Sequence, residues 1–331
     1  MKDLTFDAFE QSPSSALIQN LQHDFRSGQF VHAYLFFGPG GVGKRTLAKL
    51  CVRTLYCQGS RKTSPCGACV ECQRINHGNH PDVFAIRPER SIGVEAIRTL
   101  IGDLQMRAFG AGYKAVVIEQ ASRMTHQAQN CLLRTLEEPT PGTVFLLTTD
   151  SLEAILPTLR SRCRLVAIAP LPHEAVERRL IAHGVPIDKA AQLASLSQGS
   201  VGRALRLQED EGYWPLRERL LRALFEQTGS TALQAAAEFK EERARGDQVL
   251  EIAETALSDA VRAAYEQPDH AWRGYPDGWL AFARRAPMGA KLRLMESAVR
   301  CKKMLTSNVS LQAVLETLMI NIAEENAACR W

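Results

Sequence analysis

The chain has 331 residues, of which 45 % are hydrophobic and 23 % are charged, and its net charge is +4. This length predicts two or three domains, since a domain usually holds about 100–200 residues. The composition excludes a disordered tail and a disulfide-stapled miniprotein. No apolar run reaches the roughly 18 residues that cross a bilayer, and the N-terminal residues lack the apolar stretch of a signal peptide. We therefore expect a soluble, cytoplasmic protein with no membrane partner.

Charge is divided unevenly along the chain. Residues 209–331 carry 16 Lys+Arg and 19 Asp+Glu, and residues 1–208 carry the remaining 24 and 17. The first 208 residues are therefore the part that we expect to approach phosphate, either of a nucleotide or of the DNA backbone. Ordinary variation of the surface would give the same division.

The predicted elements begin with a short apolar run at 34–37 that enters a glycine-rich turn, a pattern typical of a buried strand. Apolar residues at helical spacing follow over 44–55. Two further buried strands are predicted at 115–118 and 144–147, with a helix between them. Strands that alternate with helices predict an α/β fold with a parallel sheet and helices on both of its faces.

After about residue 166 the strand patterns end. Pro170-Leu171-Pro172 predicts a hinge. Short helices are predicted at 173–183, 188–196 and 200–207. From residue 213 onward, Ala, Leu, Arg and Glu at helical spacing predict an all-helical bundle.

The loop after the first strand, Gly38 to Lys44, has the G-x-x-x-x-G-K sequence of a P-loop. Its glycines let backbone N–H groups turn toward a phosphate, and the dipole of the next helix attracts the same anion. Lys44 supplies a positive charge for the β- and γ-phosphates. We therefore predict a nucleotide site, and a chance glycine-rich turn is the alternative.

The residue after Lys44 departs from that motif. A P-loop requires Ser or Thr there, because its hydroxyl binds Mg²⁺, but this chain has Arg45, and Thr46 comes one position late. A helix turns by about 100° per residue, so Thr46 should not face the same ion. The pattern therefore favours nucleotide binding over metal-assisted hydrolysis.

The strand at 115–118 ends at Glu119-Gln120. P-loop enzymes place acidic groups here, one to hold Mg²⁺ and another to orient water. Glu119 could still reach the ion, but Gln120 is neutral and cannot act as a general base. An ordinary polar strand end is the alternative for this pair. Arg45 lacks the hydroxyl that binds Mg²⁺, and Gln120 lacks the carboxylate that orients water. We therefore expect little or no ATPase activity from this chain alone.

Four cysteines, Cys57, Cys66, Cys69 and Cys72, lie within sixteen residues. Cytosolic thiols stay reduced, so this spacing favours a metal site over disulfides, and a tetrahedral set of thiolates is typical of structural Zn²⁺. An iron–sulfur cluster or four free thiols are the alternatives. The protein supplies all four ligands, which leaves no open position for catalysis.

These segments, in this order, resemble the clamp-loader branch of the AAA+ superfamily. The resemblance is dense from about residue 30 to 206 and weak over 213–331. Besides the P-loop and the cysteines, it is carried by His32–Phe36, Gly78–Asp82, Tyr113–Ile118, Ala128–Pro139 and Leu159–Arg164.

The resemblance implies roles for further residues. Ser161-Arg162-Cys163 resembles the motif whose arginine reaches into the ATP site of a neighbouring subunit and stabilises the transferred phosphoryl group; a surface arginine is the alternative. Thr148 or Thr149 resembles the residue that senses the γ-phosphate. Gly202 stands where a second sensor arginine is expected, one position before Arg203. The residues predicted to contact nucleotide are Gly38, Gly40, Gly41, Gly43, Lys44, Arg45, Thr46, Glu119 and Thr149.

The resemblance also implies an architecture and a function. We expect an AAA+ P-loop core at 1–169 with a zinc knuckle at 57–72, a small helical lid at 170–208 and an all-helical oligomerisation collar at 209–331. The implied function is that of a stator in the clamp loader of a replicative DNA polymerase, lending Arg162 to an adjacent ATPase subunit. The implied cofactors are structural Zn²⁺ and ATP or ADP. The implied partners are gamma/tau-type and delta-type clamp-loader subunits, the sliding clamp and primed DNA.

Two other functions would explain part of the same pattern. An ATP-hydrolysing motor subunit of gamma/tau type would share the P-loop, the cysteines and the Ser-Arg-Cys motif, but it predicts Ser or Thr at position 45 and an acid at position 120. A nucleotide kinase would explain the P-loop, but it leaves the cysteine module and the helical C-terminal part without a purpose.

Overall fold

The computed structural model describes residues 5–60, 65–106, 108–110, 112–226, 231–265, 274–307 and 309–329. The chain forms two compact units. The first, here called the P-loop unit, comprises residues 1–184 and 197–204, and the second, the helical unit, comprises 185–196 and 205–331. The division into core, lid and collar at residues 170 and 209 stays a prediction.

A five-stranded parallel sheet forms the centre of the P-loop unit. Its strands are β1 (Ala33–Phe37), β2 (Val83–Ile86), β3 (Lys114–Ile118), β4 (Thr143–Thr149) and β5 (Arg164–Ala167). Their order across the sheet is β2-β3-β4-β1-β5. The three predicted strands are confirmed as β1, β3 and β4. Strands β2 and β5 were not predicted; they are short edge strands and are only partly buried.

The register of the strands brings their carboxyl ends to one edge of the sheet. Phe37 at the end of β1 lies opposite Thr149 at the end of β4, and Ile118 at the end of β3 lies opposite Leu147. The segments that follow β1, β3 and β4 therefore emerge side by side. Ligands of open α/β sheets bind at this carboxyl edge.

Successive strand residues face opposite sides of the sheet, so β1, β2, β3 and β4 each contribute to two apolar clusters, whereas β5 contributes only to the first. Tyr34 and Phe36 face the first cluster, which is completed by α1 (Ser15–Ser27), α2 (Lys44–Tyr56) and the 3₁₀ helix Phe6–Phe9. Leu35 faces the second. That cluster is completed by α4 (Val94–Asp103), α5 (His126–Glu137) and α6 (Pro157–Arg160). The predicted parallel sheet with helices on both faces is confirmed.

The other regular elements among the described residues are helices. They are α3 (Val70–His77), α7 (His173–Ala182), α8 (Ile187–Leu196), α9 (Val201–Glu209), α10 (Tyr213–Phe225), α11 (Ala232–Ala237), α12 (Gly246–Arg262), α13 (Asp277–Arg285), α14 (Met288–Thr306) and α15 (Leu311–Cys329), with 3₁₀ helices at Ala121–Arg123 and Lys240–Arg245. The three short helices predicted between 173 and 207 correspond to α7, α8 and α9. Over the described residues from 205 onward, every regular element is helical, as predicted.

The helical unit has its own core. Trp279, Phe239 and Phe282 are fully buried there, and the Trp279 indole donates a hydrogen bond to the Ala256 carbonyl at 2.9 Å. This unit thus buries large apolar side chains independently of the sheet. Among the described residues, none of the helices is both long and apolar enough to span a lipid bilayer.

Candidate phosphate-binding and metal-binding sites

The phosphate loop, Gly38 to Lys44, connects β1 to α2 at the carboxyl edge of the sheet. Gly38 and Gly43 have φ angles of 146° and 102°, a region that strongly favours glycine. A Cβ atom on Gly38 would lie 2.2 Å from the Ile168 carbonyl oxygen, and one on Gly43 would lie 3.0 Å from the Phe9 ring. Neighbouring segments therefore require glycine at both positions, and the loop is held in one shape.

Lys44 is buried, and its ammonium group is already engaged. Its Nζ donates to the carbonyl oxygens of Gly38 and Pro39, each at 2.6 Å. It also forms an ion pair with Oδ1 of Asp150 at 2.6 Å. An ammonium has three donors, and these three acceptors account for all of them. A phosphate that binds Lys44 must therefore compete with Asp150.

Asp150 follows β4 and lies against the phosphate loop. Its Oδ2 would be 3.6 Å from a Cβ atom on Gly40, while half of the side chain is exposed to solvent. The carboxylate thus brings a negative charge to the loop that the sequence analysis assigned to phosphate.

Glu119 is held by two arginines. Its Oε1 lies 3.0 Å from Nε of Arg45 and 3.0 Å from Nε of Arg87, which follows β2. The Glu119 side chain is mostly buried, whereas both arginines are largely exposed. The carboxylate predicted to approach Mg²⁺ is therefore paired with two guanidinium groups, one of them from the residue that replaces the hydroxyl ligand.

The ends of β3 and β4 are joined through Gln120. Its φ of 50° is uncommon for a residue other than glycine, and its backbone N–H donates to Oγ1 of Thr148 at 3.1 Å. The buried Thr149 instead donates to the Ser151 carbonyl at 2.7 Å. Thr148 thus contacts the residue after Glu119, and a sensor role for Thr149 stays a prediction. Thr46 is half-buried in the first turn of α2.

Arg162 lies just before β5, so the parallel topology assigns it to the amino edge of the sheet, opposite to the phosphate loop. Its Nη1 donates to the Thr158 carbonyl at 2.8 Å, and its Nη2 forms an ion pair with Glu137 at the end of α5. One third of the side chain is exposed. The structure therefore does not bring Arg162 to the phosphate loop of its own chain.

The structure brings the four predicted cysteines together. All four Sγ atoms lie within 4.8 Å of one another. Tetrahedral coordination with metal–sulfur bonds of about 2.3 Å would separate the sulfur atoms by roughly 3.8 Å. The cluster of Cys57, Cys66, Cys69 and Cys72 can therefore hold a metal ion.

Backbone N–H groups around the cluster point at sulfur. Cys57 Sγ accepts from the N–H groups of Gly59 at 3.3 Å and Cys66 at 3.2 Å, and Cys66 Sγ accepts from Cys69 at 3.4 Å. The N–H groups of Cys69 and Ala68 lower the pKa of Cys66 to about 6. Such donors stabilise thiolates, the form that binds metal.

Cys72 is the buried member of the cluster. Burial raises the pKa of its thiol to about 12, and hydrogen bonds from the Gly67 N–H and from Arg53 oppose that shift. Arg53 is itself buried, at the end of α2. A cation at this depth favours negative charge on sulfur. The donor set and its surroundings thus fit a metal ion bound by thiolates.

Two residues of the phosphate-loop region, Asp150 and Arg87, were not predicted from the sequence. The predicted strand at 144–147 continues to Thr149, and Asp150 follows it directly. Its position after a strand could therefore have predicted that Asp150 lies at the carboxyl edge of the sheet. Arg87 follows β2, an edge strand that the hydrophobic pattern did not reveal. Its contact with Glu119 depends on the pairing of β2 with β3, which spacing along the chain does not show.

Comparison with known proteins finds subunits of DNA polymerase III. Residues 14–172 match the family model described as DNA polymerase III, delta subunit. The chain is 40 % identical over 185 residues to DNA polymerase III subunit delta' of Pseudomonas aeruginosa, which covers 54 % of this chain and 56 % of that protein. It is 27 % identical over 315 residues to subunit delta' of Bacillus subtilis, covering 92 % and 94 %. It is 33 % identical over 189 residues to subunit tau of Escherichia coli, covering 54 % and 29 %.

Proposed function

We propose that this chain is a member of the delta-prime family of DNA polymerase III subunits, which its matches support. As such it would be a clamp-loader stator that does not itself hydrolyse ATP. It would help to load the sliding clamp on primed DNA, as part of a cytoplasmic complex with gamma/tau-type and delta-type subunits. Its match spans little more than half of the length of the Pseudomonas relative, so these partners are part of the proposal.

The observation that carries the proposal is the pairing of Glu119 with Arg45 and Arg87. Hydrolysis by a P-loop protein needs a metal ion on the phosphates and a group that orients water. Here Arg45 replaces the hydroxyl ligand, two guanidinium groups neutralise the carboxylate, and the neutral Gln120 follows it. The fold of a nucleotide-binding site is thus kept while the groups for turnover are missing.

Arg162 is the group that this chain would contribute to catalysis in trans. It lies at the sheet edge away from its own phosphate loop and remains partly exposed. Its partners in the isolated chain, Glu137 and the Thr158 carbonyl, can be exchanged for a phosphate because an exposed ion pair contributes only about 0–1 kcal/mol. An arginine supplied to a neighbouring site can raise the rate of phosphoryl transfer by about 10³–10⁵.

Two cofactors belong to the proposal. The four cysteines would hold structural Zn²⁺, since four protein thiolates complete a tetrahedral site and leave no position for substrate. The phosphate loop would hold ATP or ADP without turnover, with the N–H groups of Gly40, Gly41 and Gly43 and the ammonium of Lys44 as the phosphate contacts. The helices from residue 209 onward would form the oligomerisation collar.

The test is a reconstituted clamp loader that carries Arg162→Ala in this subunit. DNA-stimulated ATP hydrolysis should fall, because the ATP site of the neighbouring subunit loses the cation that stabilises its transition state. Arg98→Ala is the matched control, since Arg98 is also an exposed arginine in an ion pair with a glutamate, and it should leave the rate unchanged. An unchanged rate with Arg162→Ala would contradict the proposal that Arg162 acts at the ATP site of a neighbouring subunit.

A second assay addresses the motor alternative. The purified chain alone should hydrolyse ATP no faster than its Lys44→Ala variant. Turnover comparable to that of a motor subunit would show that the gamma/tau-type alternative is right and the stator proposal wrong.

A further inference from the structure

A cleft of about 400 Å³ lies beside the phosphate loop, between α2 and the strands β2 and β3. Val83 and Val117 contribute to its apolar lining. Three cationic side chains also line it, Arg45, Lys49 and Arg87, against one carboxylate, Glu119. This set of residues is here called the cationic cleft. Arg45 and Lys49 lie one turn apart on α2, and Arg87, which follows β2, meets them only because of the fold.

The cationic cleft carries an excess of positive charge. Both arginines use Nε on the same oxygen of Glu119, and a guanidinium has five N–H donors, so each arginine keeps donors for another acceptor. Lys49 donates to the Asn76 carbonyl at 3.3 Å. Burial, followed by the charges of Arg53, Arg45 and Arg87, lowers the pKa of Lys49. Three cations that face one carboxylate attract an additional anion.

The same geometry does not fit Mg²⁺, the ion that a P-loop site implies. Mg²⁺ binds hard oxygen ligands in an octahedral arrangement. In this chain the position of the hydroxyl ligand is taken by Arg45, and Glu119 already neutralises part of two guanidinium charges. A divalent cation placed beside Glu119 would be repelled by Arg45, Arg87 and Lys49.

We propose that the cationic cleft binds a phosphate group without Mg²⁺, through Arg45, Lys49 and Arg87. Guanidinium groups match the geometry of phosphate oxygens and remain charged at all physiological pH values. The phosphate can belong to a small phosphorylated molecule or to the backbone of single-stranded DNA, which present the same chemistry to these side chains. The cationic cleft adjoins the nucleotide site of the proposed function, which uses Lys44, and it shares Arg45 and Glu119 with the residues predicted to contact nucleotide.

The test measures binding of two probes, inorganic pyrophosphate and a short single-stranded oligonucleotide, to the full chain by calorimetry. The buffer contains neither Mg²⁺ nor a chelator, so that any metal on the cysteines is retained. Lys49→Gln combined with Arg87→Gln should weaken binding of at least one probe about tenfold or more, since hydrogen bonds to charged groups are lost. The probe that is weakened identifies the source of the phosphate.

Two controls complete the experiment. Arg222→Gln removes an exposed, ion-paired arginine of α10 and should leave both affinities within about twofold. Every titration is repeated in a Lys44→Ala background, because pyrophosphate can also bind the phosphate loop through Lys44. The proposal is wrong if neither probe binds in that background, or if adding the double substitution leaves the affinities for both probes unchanged. These outcomes are independent of Arg162 and of assembly, so they do not decide the stator proposal.

Discussion

The cysteine cluster and the phosphate loop belong to the same unit, yet their functional groups are arranged in opposite ways. In the cluster, four sulfur atoms converge on one another. In the phosphate-loop region, Lys44 is paired with Asp150, and Glu119 is paired with Arg45 and Arg87. Thiolates that converge repel one another unless a cation lies between them, whereas opposite charges that are paired need no ligand. A metal ion should therefore stabilise the fold at the cysteine cluster, whereas nucleotide should add little stability at the phosphate loop.

Removal of the metal is the change that should separate the two sites most clearly. Cys69→Ser should release the bound ion and lower the thermal midpoint of unfolding, because binding of structural Zn²⁺ can contribute on the order of 10 kcal/mol in small domains. Metal analysis and differential scanning calorimetry on the purified chain measure both effects. By contrast, Lys44→Ala should leave the metal content unchanged.

Cys131→Ser is the matched control for that experiment. Cys131 is a half-buried thiol on α5 outside the cluster, so the variant should keep its metal. A wild-type chain that holds no zinc after purification from a zinc-supplemented culture would contradict the prediction, as would a Cys131→Ser variant that loses the ion.

The second change should allow the site around Glu119, which is paired with Arg45 and Arg87, to bind Mg²⁺. Arg45→Thr combined with Arg87→Gln restores the hydroxyl of a P-loop and frees Glu119 from both guanidinium groups. Mg²⁺ should then raise the affinity for ATP about tenfold, since a carboxylate and a hydroxyl can share the ion with the phosphates. Titration of a fluorescent ATP analogue with and without Mg²⁺ measures this change.

The wild-type chain is the reference for the second change, and its affinity should not rise when Mg²⁺ is added. Wild-type binding that depends on Mg²⁺ would show that the arginines leave Glu119 when nucleotide binds. The pairing of Glu119 with Arg45 and Arg87 would then exist only in the ligand-free state.

The same contrast explains what the sequence could predict. The cysteine site was predictable because Cys57 and Cys72 are only fifteen positions apart, and the phosphate loop because it is a continuous segment. The partners of Lys44 and Glu119 were not predictable from spacing. Asp150 and Arg87 reach them only because β4 lies beside β1 and β2 lies beside β3. The edge strands β2 and β5 were missed since partly exposed strands lack a continuous apolar run.

The third change tests whether Asp150 competes with phosphate for Lys44. Asp150→Asn keeps the size of the side chain and removes its charge, so nucleotide should bind about two- to fivefold more tightly, the range expected when a half-exposed ion pair is lost. Titration with ADP measures the change. Asp103→Asn serves as the control because Asp103 ends α4, an element of the opposite face of the sheet. Equal affinities for the wild type and Asp150→Asn would mean that the carboxylate does not obstruct the loop.

The smallest effect is expected at Arg162, which is also paired within the chain. Glu137→Gln removes the charge that holds the guanidinium, but Glu137 is nearly half exposed, so the pair should contribute less than about 1 kcal/mol. The stimulated ATPase rate of the reconstituted complex should therefore rise by no more than about twofold, with subunit concentrations held just above those needed for assembly. A large fall would show instead that Glu137 positions Arg162 for the neighbouring site. Arg162 would then differ from Lys44, because its internal partner would assist function and would not compete with it.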